Sequence, residues 1–237
     1  MSSNKISIII PVLNEAAIIL DSLQKLAKNK GNVEIVVVDG GSRDKTVELV
    51  RSIDVKLIVS PTPGRAKQMN LGAATATGDI LLFLHADTYL PKDYQIIVTQ
   101  ILSQSKTVAG AFELAIDSQD RRLRLLEQMV NWRSRFFALP YGDQAIFLHT
   151  KVFQEIGGFP DLPIMEDFEL MRRLKSRGNI AIASQAVLTS PRRWEKLGIF
   201  RTTLINQLTI IGYFLGIAPD RLASWYRCHK VERKQDK

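Results

Sequence analysis

The sequence predicts an α/β fold in which helices cover a mostly parallel sheet. Short β-branched runs at positions 6–10, 34–38, 55–59 and 80–84 alternate with helical patterns at 15–28, 45–52 and 65–77. The runs are mostly apolar, which is typical of strands that are buried on both faces. Alternation of strands and helices specifies a parallel sheet, and such sheets bind ligands beyond the carboxyl ends of their strands. The chemistry is therefore expected just after each strand.

Beyond residue 90 the pattern is less regular and mainly helical. Helices are predicted near 93–103, 119–137, 151–156 and 167–177. We predict a catalytic domain in residues 1–194 and a helical C-terminal extension in residues 195–237.

The apolar region 204–219 is the longest in the chain, yet it contains two amides and two glycines and is shorter than the roughly 20 residues that span a bilayer. Two interpretations remain open for it. Basic and aromatic neighbours favour a helix that lies in a membrane interface, whereas its helical spacing equally suits a helix that covers the core. The basic and apolar segment 121–137 allows the same two interpretations.

Composition and charge limit the functional classes. The 237 residues carry a formal net charge of +8, which suits a phosphate-rich ligand, an anionic membrane surface or nucleic acid. No nucleic-acid-binding motif accompanies the charge, so we expect no nucleic-acid partner. The single cysteine, Cys228, excludes a disulfide within these residues and a zinc site of several thiolates. The first apolar run is too short for a signal peptide, so a cytoplasmic location is expected.

Polar residues follow three of the predicted strands and should meet at one edge of the sheet. They are Asn14 and Glu15 after the first strand, the loop 39–42 after the second, and the segment 85–88 after the fourth. Asp39 could accept a hydrogen bond from a base or a ribose, and the following glycines allow close approach of a nucleotide. Alternatively, Asp39 caps the next helix. The absence of a G-x-G-x-x-G pattern argues against a dinucleotide-binding dehydrogenase.

Asp87 is the strongest candidate for a metal ligand. Mg²⁺ and Mn²⁺ take oxygen ligands and are often held by one or two carboxylates together with substrate phosphates. His85 could add a nitrogen ligand and favour Mn²⁺, although a histidine at a strand end is more often only hydrogen-bonded.

Two segments could contact an anion. At 63–70 a turn opens a helix that contains Arg65, Gln68 and Asn70, and this helix start could face a diphosphate or simply be exposed to solvent. Arg193 and Trp194 pair a guanidinium with a flat aromatic surface, which suits a phosphate and a sugar or lipid, or structural packing.

The acidic pair Glu166 and Asp167 begins a predicted helix. Acidic residues are common in a first helical turn because they complement the helix dipole. A carboxylate that is held there and faces a sugar could also act as a general base.

Taken in order, the motifs between residues 6 and 194 resemble those of the family-two glycosyltransferases. The segments that carry the resemblance are PVLNE at 11–15, DGGS at 39–42, HAD at 85–87, ED at 166–167 and RRW at 192–194. The resemblance implies the A-type fold, a nucleotide-binding α/β sandwich, and the variants GRAKQMN, HADT and RRW look like those of a bacterial subfamily.

The resemblance gives each segment an expected role. Asp167 corresponds to the catalytic base, and Asp87 corresponds to the last, metal-binding position of a D-x-D element whose first acidic position is His85 here. Donor contacts are expected at Pro11, Asn14, Glu15, Asp39, Gly41, Ser42, Arg65, Gln68, Asn70 and Asp87. Contacts with the acceptor or a phosphate are expected at Asp143, Gln144, Glu166, Arg193 and Trp194. The glutamine of the family's Q-x-x-R-W element is absent, so addition of a single sugar is expected.

The expected function is inverting transfer of one sugar from a nucleotide diphosphate sugar to an acceptor hydroxyl, assisted by Mn²⁺ or Mg²⁺. The resemblance favours a UDP-sugar, with a GDP-sugar as the other candidate. A lipid-linked or small hydrophobic acceptor, and peripheral contact with the inner face of the cytoplasmic membrane, are part of this expectation. Two alternatives are a nucleotidyltransferase, which would release pyrophosphate, and a non-catalytic module that binds a nucleotide sugar or a lipid without needing Asp167.

Overall fold

The fold is an α/β sandwich, which confirms the predicted class. The computed structural model describes residues 4–28 and 31–231. The strands are β1 (Ile6–Val12), β2 (Val33–Asp39), β3 (Lys56–Val59), β4 (Ile80–Phe83), β5 (Thr88–Tyr89), β6 (Thr107–Ile116), β7 (Phe147–His149) and β8 (Asn179–Thr189). The helices are α1 (Ile19–Ala27), α2 (Thr46–Arg51), α3 (Arg65–Thr75), α4 (Tyr94–Leu102), α5 (Arg121–Phe137), α6 (Thr150–Glu155), α7 (Glu166–Lys175), α8 (Arg192–Leu197), α9 (Ile199–Phe214) and α10 (Pro219–Val231).

All eight strands form one sheet in the order β3-β2-β1-β4-β7-β6-β8-β5. The first four strands in this order are parallel, β7 is antiparallel to both of its neighbours, and β6 is parallel to β8. The chain moves outward from β1 to β3 and then returns to place β4 on the other side of β1. This reversal leaves a crevice at the carboxyl ends of β1 and β4, where α/β sheets bind their ligands.

The hydrophobic core has one layer on each face of the sheet. Successive residues of β1 point to opposite faces, so Ile8 packs in one layer and Ile9 in the other. Helices α1, α4 and α5 contribute to the first layer, and α3, α6 and α7 contribute to the second. Burial on both faces explains why β1, β2 and β4 are recognisable as mostly apolar runs. For β3 the prediction of burial on both faces is wrong, because β3 lies at the edge of the sheet and its first and last residues are exposed.

The strands beyond residue 87 were not predicted. β5 and β7 have two and three residues, which is too short for a recognisable period. β6 contains small residues where bulky β-branched ones would give a stronger signal. At Gly110, a Cβ atom would collide with the ring of Phe147 on the neighbouring strand, so the packing itself requires a residue that weakens the strand pattern.

The C-terminal helices pack against the core of the α/β sandwich. Helix α8 crosses the predicted boundary between residues 194 and 195, and Trp194 and Ile199 lie against the first core layer. Phe214 of α9 stacks edge-to-face on Phe168 of α7, with ring centroids 5.3 Å apart. Within the described residues, no helix is long and apolar enough to cross a bilayer.

A hydrogen bond between α9 and α7 should make stability depend on alkaline pH. The Tyr213 hydroxyl donates to Glu169 Oε1 at 2.6 Å, and burial together with this carboxylate raises the pKa of Tyr213 to about 12. Because the folded-state pKa lies above the ordinary value of 10.0, the contribution to stability is complete below pH 10 and is lost as the pH rises toward 12.

The substitution Tyr213→Phe should therefore lower the free energy of unfolding by about 1–2 kcal/mol at neutral pH. The difference between wild type and variant should shrink when urea unfolding is repeated at a pH of about 11. A constant difference at both pH values would show that the hydrogen bond does not carry the effect.

Candidate active site

A cavity of about 230 Å³ lies beyond the carboxyl end of β4. Its wall includes most of the charged residues that the sequence singled out, namely Arg65, His85, Asp87, Asp143 and Asp167, together with Trp194. The C-terminal helices supply a further part of the wall through Thr203, Asn206, Gln207, Ile210 and Tyr226. The region predicted as an extension therefore completes the candidate site.

Asp87 is joined to the first strand's loop by an arginine. Arg192 Nη2 donates to Asp87 Oδ2 at 3.0 Å and to Glu15 Oε2 at 3.1 Å, and Nη1 donates to Glu15 Oε2 at 3.2 Å. Partial burial opposes the charge of the guanidinium, but the two carboxylates outweigh this effect and raise the pKa of Arg192 above its ordinary value. Arg192, the first residue of α8, is thus a fixed positive charge beside Asp87.

Arg65 is a second fixed positive charge, and it lines the cavity. Its Nε donates to Glu166 Oε1 at 2.5 Å, and its Nη1 lies 3.4 Å from His85 Nε2. Burial opposes its charge, while Glu166 and Asp167 raise the pKa of Arg65 further than burial lowers it. Glu166, which is buried, therefore holds Arg65 in position and is not among the residues that line the cavity.

Asp167 is held in place by backbone donors. Oδ2 accepts from Gly142 N at 2.9 Å, and Oδ1 accepts from Phe168 N at 2.8 Å. Met165, the residue before α7, adopts a left-handed conformation with φ of 67°, which turns the chain abruptly into the helix. The carboxylate is thereby fixed at the cavity wall, where it can accept a proton from a bound hydroxyl.

Asp39 lies at the end of β2, apart from the cavity, and one of its oxygens is left without a partner. Oδ2 accepts from Gly41 N and Ser42 N, both at 2.9 Å. Oδ1 is buried and has no hydrogen-bond partner among the described residues. The alternative that Asp39 caps the next helix is wrong, because α2 begins only at Thr46. A buried carboxylate oxygen without a donor is suited to a ligand hydroxyl or N–H.

Asn14 and Ser42 connect the loops that follow β1 and β2. Asn14 N donates to Ser42 Oγ at 2.8 Å, and Asn14 Oδ1 accepts from Arg43 N at 2.8 Å. Asn14 has a positive φ of 56°, which Asn tolerates better than most residues. Pro11 lies within β1, opposite Val38, at the base of the same two loops. These residues shape the edge of the sheet next to Asp39.

Three predicted contact residues are instead directed into the protein. The amide of Gln68 donates to the carbonyl oxygens of Val12 and Val38, and Asn70 exchanges hydrogen bonds with the backbone of Phe159. Gln144 is fully buried. Its side chain donates to Phe112 O and accepts from Ser134 Oγ. The structure therefore does not bring these three side chains into the cavity.

Gln68 is predicted to matter for stability, because it ties the ends of β1 and β2 to α3. Gln68→Ala should lower the free energy of unfolding by about 2 kcal/mol, since two buried carbonyl groups lose a donor. Urea unfolding monitored by circular dichroism checks this. The neighbouring exposed substitution Lys67→Ala should change the value by less than about 0.5 kcal/mol. Equal effects of the two substitutions would contradict the structural role.

The remaining predicted acceptor contacts differ in their placement. Asp143 and Trp194 line the cavity, and Trp194 Nε1 is buried without a hydrogen-bond partner among the described residues. The side chain of Arg193 lies outside the described residues. The structure assigns the carboxylate contacts of this segment to Arg192, one residue earlier.

Sequence reasoning missed Arg192 and the pair formed by Arg133 and Tyr141. Arg133 lies over the ring of Tyr141, 3.6 Å from its centroid, and both residues line the cavity. Burial raises the pKa of Tyr141, Arg133 opposes the rise, and Asp167 adds to it. The doublet at 192–193 was a visible signal for Arg192, whereas nothing in the sequence distinguishes Arg133 from the other arginines of α5.

Most of the chain matches the model of a known family. A model of the family described as glycosyl transferase family 2 matches residues 7–158. The chain belongs to glycosyl transferase family 2. The matched part of this family-2 chain contains β1 to β4, the Asp39 loop and Asp87, while Asp167 and Arg192 lie beyond it.

Two curated relatives carry glycosyltransferase names. An uncharacterized glycosyltransferase of Haemophilus influenzae is 36% identical over 100 residues, which are 39% of this chain and 40% of the relative. The probable glycosyltransferase YdaM of Bacillus subtilis is 24% identical over 221 residues, which are 81% of this chain and 52% of the relative. The family-2 chain thus spans between 40% and 52% of the length of these relatives.

Solved structures of glycosyltransferases share the fold. S. aureus TarS in complex with UDP matches with a TM-score of 0.66 and 21% identity, over 78% of this chain and 60% of that chain. A mannosyltransferase from Pyrobaculum calidifontis with GDP-Man and Mn²⁺ matches with a TM-score of 0.64 and 18% identity, over 80% and 57% of the chains. Glucosyl-3-phosphoglycerate synthase from Mycobacterium tuberculosis with Mn²⁺ and UDP matches with a TM-score of 0.60 and 18% identity, over 87% and 79%. These matches show the A-type glycosyltransferase fold.

The residues at the cavity fit a divalent cation only as a shared site. Among the described residues, no group of three or more His, Cys, Asp and Glu side chains is placed to hold a metal ion. Asp87 offers one carboxylate, and such ions are often held by one or two carboxylates plus substrate phosphates. His85 is less suited, because its Nε2 faces the guanidinium of Arg65. The donor set therefore fits an ion that binds together with a phosphorylated ligand.

Proposed function

We propose that this chain transfers one sugar from a nucleotide diphosphate sugar to an acceptor hydroxyl, with inversion at the anomeric carbon. The observation that carries the proposal is the convergence of Asp167, Asp87 and Arg65 on one cavity, with Arg192 hydrogen-bonded to Asp87. A carboxylate base and a cationic site for a leaving group are the two elements that a single displacement needs. One structural neighbour is named with UDP and another with GDP-Man, so both a UDP-sugar and a GDP-sugar are candidate donors. A UDP-sugar remains the favoured donor.

The nucleoside is proposed to bind at the edge formed by the loops after β1 and β2. Asp39 Oδ1 is buried and has no hydrogen-bond partner among the described residues, so it can accept a hydrogen bond from the base or the ribose. Gly41, with a φ of 95° and open space where a side chain would be, lets a ligand approach the backbone closely. Glu15 then connects this edge to the cavity through Arg192. The donor would extend from Asp39 past Arg192 to the cavity.

The diphosphate is proposed to bind between Asp87 and the two arginines. Mn²⁺ or Mg²⁺, when bound by Asp87 and the donor phosphates, would neutralise charge on the leaving group. Arg65 and Arg192 are held by carboxylates in advance, so they need no reorganisation when negative charge develops on the diphosphate. His85 is proposed to orient Arg65 in preference to binding the ion.

Asp167 is proposed as the general base of the displacement. As the acceptor oxygen forms its bond to the anomeric carbon, the Asp167 carboxylate takes the hydroxyl proton. The bond between the anomeric carbon and the phosphate oxygen breaks, and the nucleoside diphosphate leaves with the electron pair. Attack from the side opposite to the leaving group inverts the anomeric configuration, and the oxocarbenium-like transition state depends on stabilisation of the leaving group.

The acceptor is proposed to enter from the side of Tyr141, Asp143 and Trp194. These residues line the cavity with Asp167, and an aromatic surface suits a sugar ring or an apolar acceptor. Addition of one sugar remains the proposed outcome. A cytoplasmic location is also part of the proposal.

A donor screen tests the proposal. UDP-, GDP- and dTDP-sugars are added with and without Mn²⁺ or Mg²⁺, and the melting temperature and the release of nucleoside diphosphate are measured. A ligand that binds the native state raises its stability by mass action. We expect one nucleotide class to give metal-dependent stabilisation and slow hydrolysis. Stabilisation without hydrolysis or transfer would indicate a binding module, and absence of any stabilisation would overturn the proposal.

A further inference from the structure

Helix α9 has an unusual distribution of polar and apolar residues. It buries Thr202, Ile205, Thr209 and Gly212, three of which are polar or small. Its large apolar side chains lie on the outside: Phe200 is 81% exposed, and exposure is also high at Leu204, Leu208, Ile211 and Phe214. A helix that only covered the core would have the reverse distribution. The interpretation of this region as a simple core cover is therefore not sufficient.

Helix α5 shows the same inversion. It buries Glu127 and Ser134 along with Leu123. Its exposed face carries Leu125, Met129, Trp132, Phe136 and Phe137, each of them more than half exposed. Trp132 stacks on Phe136 with ring centroids 5.0 Å apart, so the exposed side chains form a continuous surface. Exposed apolar surfaces of this kind mark sites where a soluble protein contacts a membrane or another apolar partner.

Both exposed stripes border the cavity. On α5 the cavity is lined at positions 126, 130 and 133, and the exposed stripe occupies 125, 129 and 132. On α9 the cavity is lined at 203, 206, 207, 209 and 210, and the exposed stripe occupies 204, 208 and 211. One residue corresponds to a rotation of about 100° around a helix, so each stripe lies next to the wall that its helix contributes. The cavity is therefore flanked by apolar surface on two of its walls.

Helix α5 and the C-terminal helices around α9 are rich in positive charge. Residues 121–137 and 192–231, which form α5 and α8 to α10, together hold twelve Arg and Lys residues and three Asp and Glu residues, whereas the whole chain has a net charge of +8. Four of these arginines, at 122, 124, 135 and 192, are paired with carboxylates. Two copies of such a surface would repel each other, but an anionic lipid leaflet would attract it. Apolar residues framed by basic ones are typical of helices that lie in the interface of a membrane.

We propose that the exposed faces of α5 and α9 form a docking surface for an anionic lipid bilayer, with the cavity opening at the membrane. The apolar side chains enter the interface, and the basic residues contact the headgroups. This placement rests on the proposed function and identifies the acceptor as a hydroxyl group on the head of a membrane lipid, which a docked bilayer would present at the mouth of the cavity. The docking itself does not depend on sugar transfer.

Flotation with lipid vesicles tests the docking. Purified protein is mixed with vesicles of phosphatidylcholine alone, or of equal parts of phosphatidylcholine and phosphatidylglycerol, and floated through a density gradient without nucleotide sugar. We expect the wild type to float with the anionic vesicles and much less with the neutral ones. Leu204→Ser with Leu208→Ser, and separately Met129→Ser with Trp132→Ser, should each lower the partition constant by more than about tenfold.

A matched control replaces two exposed apolar residues that lie elsewhere. Val59, on edge strand β3, and Ile96, on α4, are 54% and 58% exposed, so Val59→Ser with Ile96→Ser removes a similar amount of exposed apolar surface. This variant should float like the wild type. All variants should keep their melting temperature and their stabilisation by the donor, since none of the replaced residues lines the cavity.

Several results would overturn the docking proposal. The first is that the wild type does not float with anionic vesicles. The second is that the control variant loses flotation as much as the α5 and α9 variants do. The third is that light scattering shows a dimer that the α9 substitutions dissociate. The proposed function fails separately, if the donor does not bind while flotation follows the expected pattern.

Discussion

Asp167→Asn should lower the rate of sugar transfer by a factor of about 10² to 10⁴, which is the range for the loss of a general base. The substitution keeps the shape of the side chain, and the amide oxygen can still accept from Gly142 N. The variant loses the capacity to take the acceptor's proton and, because an amide has one oxygen, the hydrogen bond from Phe168 N. The rate is measured at saturating donor and acceptor, using the nucleotide sugar that the donor screen identifies.

Two controls separate this effect from loss of structure. The variant should keep its melting temperature and the stabilisation that the donor provides, because Asp167 is assigned to the acceptor side of the cavity. As a matched control, Asp161→Asn makes the same change at an exposed carboxylate that pairs with Lys67. This variant should keep the rate of transfer within about twofold of the wild type. Near-normal transfer by Asp167→Asn, in a protein that still binds the donor, would exclude Asp167 as the base.

Asp87→Asn should abolish the metal-dependent part of donor binding, with a loss of affinity of at least about tenfold. Among the described residues, no group of three or more His, Cys, Asp and Glu side chains could hold the ion, so the proposed site depends on this carboxylate and on the donor phosphates. Titration calorimetry with Mn²⁺ alone, with nucleotide alone and with both measures this dependence. We expect weak binding of Mn²⁺ without nucleotide and tight binding of the two together in the wild type.

Removal of the metal provides the control for Asp87→Asn. A chelator should reduce donor binding by the wild type to the level of the variant and should have no further effect on the variant. Arg192 loses one of its two carboxylate partners in the variant but keeps Glu15, so the fold should be preserved. A variant that still responds to Mn²⁺ as the wild type does would place the ion elsewhere.

The first four strands and the position of the site could be predicted from the sequence for clear physical reasons. Strands buried on both faces are continuously apolar, and the carboxyl ends of parallel strands share an edge. These two rules placed His85 and Asp87 at the carboxyl end of β4 and Asp39 at the carboxyl end of β2. Asp167 lies far along the chain, and only the family resemblance connected it to the others.

The direction of individual side chains could not be predicted in the same way. Gln68 and Arg65 lie three residues apart at the start of α3, yet Gln68 is buried against β1 and β2 while Arg65 faces the cavity. Arg192 contacts Asp87, whereas the resemblance had assigned the motif's arginine to the next residue. One position changes the direction of a helical side chain by about 100°, which a motif match does not resolve. The inverted faces of α5 and α9 likewise appear only once burial is known.

The anomeric configuration of the first product tests the central account most directly. The identified donor is hydrolysed in the absence of acceptor, and proton NMR spectra are recorded before the free sugar can equilibrate between its anomers. A single displacement in a cavity with Asp167 as base predicts that an α-linked donor first gives the β-sugar. Initial release of the α-sugar would contradict inversion and, with it, the role assigned to Asp167.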